Sequence, residues 1–197
     1  MAVLQLAPAT NAVSIFPHFT ARQSETLVLK EKMFSLTGDS FDIKLMSGQP
    51  LLRVEGKAMS FSGRKSVYDM SGNHLFDIVK EHMHLHTTYA AVDPQGQKLM
   101  EVKSGFALIG SKATATLTSP VSGKAESLEM KGNWKSTQAD IVDKSTDQVV
   151  ATISRNKYNL RDMFGGQQTY VVTVAPNIDM ALICAMCICL DEVNNED

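Results

Sequence analysis

IDMALICAMCICL, residues Ile178 to Leu190, carries one charge, on Asp179, and ends against the polar sequence Asp191-Glu192-Val193-Asn194-Asn195-Glu196-Asp197. A helix that is apolar on every face has to be buried on every face. Pro176 and Asn177 supply start signals, since Asn caps helices well and Pro fits the first turn. An anion at Asp179 then suits the positive end of the helix dipole. At 1.5 Å per residue the run reaches roughly 20 Å, short of a hydrocarbon core of ~30 Å. Extending it back to Val171 brings in Pro176, Asn177 and Asp179 as interruptions. The run reads as a core helix over about 177–190, and the rest of the chain has to supply what surrounds it.

The chain has 197 residues, a net charge of −2 and a hydrophobic content of 44%. That is enough chain for one domain with a sizeable core, and there is no overall basic footprint for nucleic acid. The first residues lack the basic and compact apolar regions of a signal peptide. Cys184, Cys187 and Cys189 all lie in the apolar run. Buried, reduced packing cysteines in an intracellular protein are the plain reading, because a helix interior does not bring such pairs to disulfide geometry.

Upstream, the texture is that of strands and turns. Ser47-Gly48-Gln49-Pro50, Ser71-Gly72-Asn73 and Asp93-Pro94-Gln95-Gly96 place glycines 24 residues apart. Pro120-Val121-Ser122-Gly123 follows after 27, and Lys144-Ser145-Thr146-Asp147 after another 24. Counting back 24 from Gly48 reaches the polar break Arg22-Gln23-Ser24-Glu25. Clusters of this kind between strand-like runs, such as Phe41–Met46 and Leu51–Val54, mark β-hairpins. The period reads as six hairpins and about twelve strands. A sheet of that size avoids open edges by closing, and a barrel of twelve strands is too wide for its own side chains to fill. The apolar helix would plug it. The expected fold is therefore mainly β: a closed antiparallel barrel enclosing a C-terminal hydrophobic α-helix. Residues 1–15 are expected to be a flexible or loosely docked arm, 16–193 the barrel domain with its central helix, and 194–197 a polar tail.

Four stretches resemble the LURP-one-related family, whose domain belongs with the tubby C-terminal domain and the phospholipid scramblases. Phe41-Asp42-Ile43 with Gly48 and Leu52-Arg53-Val54 is similar to the opening hairpin of that family. Gly63-Arg64-Lys65-Ser66-Val67-Tyr68-Asp69-Met70-Ser71-Gly72 is similar to its GR-x-x-x-D-x-x-G segment, and Gln148-Val149-Val150-Ala151-Thr152-Ile153-Ser154-Arg155 to its V-V-A-x-I-x-R/K strand. Tyr170 to Leu182 resembles Y-x-V-x-V-x-P-x-x-D-x-A-L before the final helix. The resemblance covers roughly Phe16 to Val193 and implies a twelve-stranded barrel around a central helix. Tubby-type barrels bind phosphoinositides with surface Lys and Arg, so the resemblance implies phosphoinositide recognition as one expectation, although the matched motifs do not extend to that ligand pocket. The acidic calcium-binding segment of the scramblases has no counterpart, so calcium-dependent scrambling is not implied.

Candidate chemistry is sparse. His82, His84 and His86 alternate along an expected strand, so they share one face, and imidazoles at this spacing can bind zinc or copper. A solvent-facing row is the simpler reading. No Gly-x-Ser-x-Gly elbow or phosphate-cradling loop is present. Asp69, Asp77, Asp93 and Asp143 lie at or near expected turns and read as turn chemistry. Lys30, Lys32, Lys44, Arg53, Lys57, Arg64 and Lys65 crowd the first third of the chain. Fixed cations of this kind suit phosphate recognition, with Lys57, Arg64 and Lys65 the candidate contacts for an anionic lipid. Against this stands an ordinary solvated face, with Glu31 and Glu55 interleaved.

Three readings of function follow. The leading one is a non-catalytic, cytoplasmic binding or scaffold domain without a cofactor. It is expected to be monomeric, and to engage either a phosphoinositide membrane as a peripheral protein or a protein partner. The alternatives are a metal protein or enzyme centred on His82, His84 and His86, and a scramblase-like membrane protein.

Overall fold

The structure is a computed structural model that describes residues 4–30, 40–56, 64–81, 87–105, 112–120, 123–132, 138–155 and 169–196. Twelve strands account for most of them: β1 (Glu25–Lys30), β2 (Ser40–Leu45), β3 (Pro50–Gly56), β4 (Lys65–Asp69), β5 (His74–Glu81), β6 (Thr88–Val92), β7 (Lys98–Gly105), β8 (Lys112–Thr118), β9 (Ala125–Gly132), β10 (Gln138–Asp143), β11 (Gln148–Ser154) and β12 (Thr169–Val174). Each pairs antiparallel with its neighbours in the chain. β1 then pairs with β12, from Glu25↔Val174 to Lys30↔Thr169, and the barrel is closed.

The periodic turn positions have a common backbone conformation. Gly48, Gly72, Gly96 and Gly123 have φ of 88°, 87°, 85° and 66°, and Asp147 has φ of 54°. Left-handed backbone of this kind strongly favours glycine and tolerates Asp. In the first three turns three residues separate the bonded ends, as in Leu45 N–H to Gln49 O at 2.9 Å, with Gly48 N–H returning to Leu45 O at 2.8 Å. Asp69 and Asp93 each accept two backbone N–H bonds across their turns, and Asp143 accepts one from Ser145. Five hairpins result rather than six. The polar break at residues 22–24 does not turn a hairpin; β1 instead takes β12 as its partner. The strand count of twelve is unaffected, because closure supplies the missing pairing.

Strand alternation sends Leu27, Leu29, Ile43, Leu52, Val54, Val67, Phe76, Ile78, Met100, Val102, Leu128, Met130, Ile141, Ile153, Tyr170 and Val172 into one buried core. Around the axis of that core lies α1 (Met180–Glu196). Every residue from Met180 to Leu190 is buried, each large apolar side chain contributing about 1.5–3 kcal/mol by leaving water. The helix lies closest to β5, β6 and β7. Tyr89 and Leu117 apart, the inward positions on β6 and β8, Ala91, Ala113 and Ala115, are small. The three cysteines are free and buried, as packing residues. Among the described residues no helix is long and apolar enough to cross a membrane.

Two boundaries differ from expectation. α1 starts later than 177: Asn177 is left-handed with φ of 73°, and the cap is Asp179, whose Oδ1 accepts the N–H groups of Ala181 at 2.8 Å and Leu182 at 3.2 Å. The helix also continues past Leu190 through Asp191-Glu192-Val193-Asn194-Asn195-Glu196, so most of the expected polar tail is its last turns. Of the two expectations for the N-terminal arm, flexible or loosely docked, residues 4–15 follow the second and are docked. Ala9, Val13 and Ser14 are buried, and the backbone of this segment bonds to the residues just before α1: Ala9 N–H to Pro176 O at 3.0 Å, Val13 N–H to Asn177 O at 3.2 Å, and Asp179 N–H to Val13 O at 3.0 Å. The reason is a backbone requirement: carbonyls and amides at 176–179 enter a buried region and need partners, which a weakly periodic sequence can supply through its main chain.

Candidate functional site

Strand parity separates the two residues expected to act together. Lys65 pairs with Ile78 and lies two residues from inward Val67, so it faces the interior, and its side chain is 3% exposed. Arg64, one residue earlier, is on the outside and 44% exposed. Adjacent residues of a strand point to opposite faces, so Arg64-Lys65 cannot form one basic surface, and Lys65 is corrected from a surface contact to an interior one. Lys57 lies outside the described residues, as do His82, His84 and His86. Among the described residues no group of three or more His, Cys, Asp and Glu is placed to hold a metal ion.

Lys65 meets Glu192, near the far end of α1. Burial lowers the Lys65 ammonium to about 8, with Glu192 opposing the drop. One residue earlier on the helix, Asp191 accepts from Arg155 at 3.2 Å and from the Tyr170 hydroxyl at 2.8 Å. The Arg155 guanidinium also lies 4.6 Å from the centre of the Tyr170 ring. Arg155 and Asp191 are each 5% exposed. Burial, reinforced by Asp191, holds the Tyr170 phenol well above its usual range. β4 and the β11–β12 pair lie on nearly opposite walls of the barrel, so two walls each send a cation to the end of one helix.

The outer face of β3, β4 and β5 carries a second cluster. Asp77 accepts from Ser66 Oγ at 2.6 Å and from Arg64 at 3.1 Å, and contacts His74 Nε2 at 3.0 Å. The register aligns Arg53, Tyr68 and His74 across the three strands. Tyr68 and His74 stack at 4.9 Å, and Arg53 lies 5.6 Å from the Tyr68 ring while pairing with Glu55 at 3.2 Å. Asp77 is thus a mid-strand hub, not a turn residue. Further round, Lys98 bridges Glu81 at 2.6 Å and Glu101 at 2.8 Å, and Lys103 joins Glu101 at 2.6 Å. The bonds from Lys103 and Lys98 pull the Glu101 carboxyl down to about 2. Burial pushes the thiols of Cys184, Cys187 and Cys189 up, and none is a ready thiolate.

The LURP-one-related family model matches residues 25–191. The chain belongs to the LURP-one-related family. Its similarity to individual members is modest in identity and long in extent. It is 24% identical over 195 residues to LURP-one-related 15 of Arabidopsis thaliana, covering 96% of this chain and 89% of that protein. It is 23% identical to LURP-one-related 10 of the same plant, covering 93% and 97%, and 24% identical to its LURP1, covering 85% and 83%. A crystal structure of an Arabidopsis thaliana protein superposes with a TM-score of 0.66 at 18% identity, covering 93% of this chain and 99% of that one. The fold and the family thus agree, and the barrel with its enclosed helix is the LURP-one-related architecture in this chain.

The buried ion pairs were hidden from sequence reasoning, but a signal existed. Asp191-Glu192 follows a wholly apolar helix directly, and carboxylates there demand buried cations. Arg155, ending an apolar strand, was the other half of that signal.

Proposed function

We propose that this LURP-one-related protein is a non-catalytic, intracellular binding domain that recognises a protein partner on the outer face of its barrel. The observation that carries the reading is the occupied interior: with Met180 to Leu190 buried along the axis, the helix takes the lumen, and recognition falls to the wall. The β3–β5 face favours a protein. Arg53, Tyr68 and Arg64 are residue types enriched at interface hot spots, and they stand among Glu55 and Asp77 rather than in a uniformly basic field. A closed barrel offers no free sheet edge for self-pairing, which supports a monomer, and three free cysteines suit a reducing compartment such as the cytoplasm. The test is an Arg53→Glu/Arg64→Glu variant compared with wild type in proximity labelling within cells. We expect the set of labelled proteins to change while the melting temperature stays within a few degrees. An unchanged set defeats the reading.

A second reading, engagement of phosphoinositide membranes, is favoured by the half-exposed guanidinium of Arg64. It predicts salt-sensitive co-sedimentation with phosphoinositide vesicles that is lost in Lys57→Glu/Arg64→Glu. Binding indifferent to that substitution removes it.

A further inference from the structure

The segment before β1 is held in the manner of a bound peptide. Its contacts run through its main chain: besides the three bonds to residues 176–179 given above, Ala21 N–H donates to Ile178 O at 2.9 Å and Asn177 N–H to Ala21 O at 2.8 Å. The Gln148 side chain reads both sides of one stretch, accepting from Thr10 N–H at 2.9 Å and donating to Pro8 O at 2.9 Å. Asp179 Oδ2 accepts two successive amides, Ile15 at 3.0 Å and Phe16 at 2.6 Å. Two short β-bridges, Val13↔Ile178 and Thr20↔Asp179, complete the pattern. Side chains add to this hold: Leu6, Ile15, Phe16 and Phe19 pack against the core, and Phe16 stacks on Phe76 at 5.6 Å. Ala9 and Val13 are buried, while Thr10, Asn11 and Ala12 between them are exposed. Main-chain pairing with pockets for alternate side chains is how extended peptides are recognised by sheet edges. The barrel closes through β1 and β12 without help from this segment, and the family match begins at Glu25, after it.

We propose that the slot formed by Pro176 to Asp179 with Gln148 is a peptide-binding site which the chain's own N-terminal segment occupies, and that an extended segment of a partner protein competes for it. The chemistry specifies the competitor: a small residue at the Ala9 position, a β-branched one at the Val13 position four residues on, and two consecutive free amides after it for Asp179. The N-terminal segment is then an internal competitor that sets how much of the slot is open. The slot is separate from the β3–β5 wall, so wall variants leave it untouched.

A fluorescently labelled peptide of residues 4–21 is added to the full chain and followed by anisotropy. Val13 is fully buried, so Val13→Asp in the chain ejects the segment and empties the slot. We expect that variant to bind the peptide at least tenfold more tightly than wild type does, and a peptide bearing the same substitution to bind neither protein. Hydrogen exchange on the wild-type chain gives a second readout: the amides of Ala9, Val13, Ile15 and Phe16 should exchange at least tenfold faster than that of Ile183. A folded Val13→Asp variant that ignores the peptide overturns the proposal. So does loss of the barrel in that variant, or equal exchange rates, since either makes the segment an inseparable part of the fold.

Discussion

The two ends of α1 are fastened by different physics. At its start, one carboxylate, Asp179, is satisfied by N–H and O–H groups: Ala181 and Leu182 from the helix, Ile15, Phe16 and Ser14 from the N-terminal segment. Burial raises the Asp179 carboxyl, and the amides of Phe16, Ile15, Leu182 and Ala181 pull it back. At its far end, two carboxylates meet two full cations, Asp191 with Arg155 and Glu192 with Lys65. The difference follows from the helix dipole. Its positive end welcomes an anion, so hydrogen bonds suffice; its negative end repels one, so Asp191 and Glu192 need formal positive charge. The first arrangement joins neighbouring backbone, and the second ties the helix to opposite walls.

The comparison presupposes that α1 is the axis, and Cys187→Asp tests that most severely. It places an unpaired charge at a site with no exposure, a cost beyond the stability of an ordinary domain. The variant should lack the cooperative unfolding transition and the dispersed amide spectrum of the wild type; a folded variant refutes the central helix.

At the far end, Asp191→Ala leaves Arg155 buried without its carboxylate and should cost about 3–5 kcal/mol, read as a lower denaturation midpoint. Arg155→Met/Asp191→Leu should recover most of that loss, because a buried pair replaced as a unit by apolar groups is often neutral. Failure of the double variant to recover would mean the ions specify the helix's position rather than merely tolerate it.

Lys65 gives the far end a pH signature. Its folded value is about 8, below the ordinary 10.5. Between these values the unfolded chain holds a proton that the folded chain has released, so this group's contribution rises with pH. It is fully present above 10.5 and is lost as pH falls through about 8. The span corresponds to roughly 3 kcal/mol. The buried thiols and Tyr170, whose values are raised, act in the opposite sense, their contributions falling as pH climbs past 9.0 and 10.0. The difference between wild type and Lys65→Met isolates the lysine: wild type should gain relative to the variant from pH 8 to 10.5. A flat difference would place the ammonium in water.

At the near end, Asp179→Ala removes a cap worth about 1–2 kcal/mol together with the acceptor for Ile15 and Phe16. Thermal denaturation should show a loss smaller than that of Asp191→Ala. The reverse order would invert the comparison.

Much of the barrel was readable because its turns recur. The 24-residue spacing picks out the positions with left-handed backbone, even where Asp147 replaces glycine, and an all-apolar run of helical length admits few placements. The side on which Lys65 lies was not readable, since a shift of one residue moves every side chain of a strand to the other face and Lys65-Ser66-Val67-Tyr68 alternates only weakly in polarity. Asp77 looked like turn chemistry because its role as a hub depends on Ser66 and Arg64, from the neighbouring strand, as well as His74. The docking of residues 4–15 was hard to see because much of it is made through main-chain groups, which every sequence possesses, and its buried side chains, such as Ala9, Val13 and Ser14, follow no regular period. Lys57 and the histidine row lie outside the described residues, and the lipid reading keeps its vesicle test.

The enclosed helix also fixes an order of events. It follows all twelve strands in the chain, and the β1–β12 seam joins residues such as Glu25 and Val174. A nascent chain emerging from the ribosome therefore exhibits its strands with nothing to wrap around, and the first of them waits for the last to close the seam. Local hairpins can form early, but the nucleus that commits the domain must await its last element. Until then, inward faces meant for α1 are exposed to other chains. Synthesis of this protein has a vulnerable interval, and chaperone demand should be greatest just before the apolar helix clears the exit tunnel.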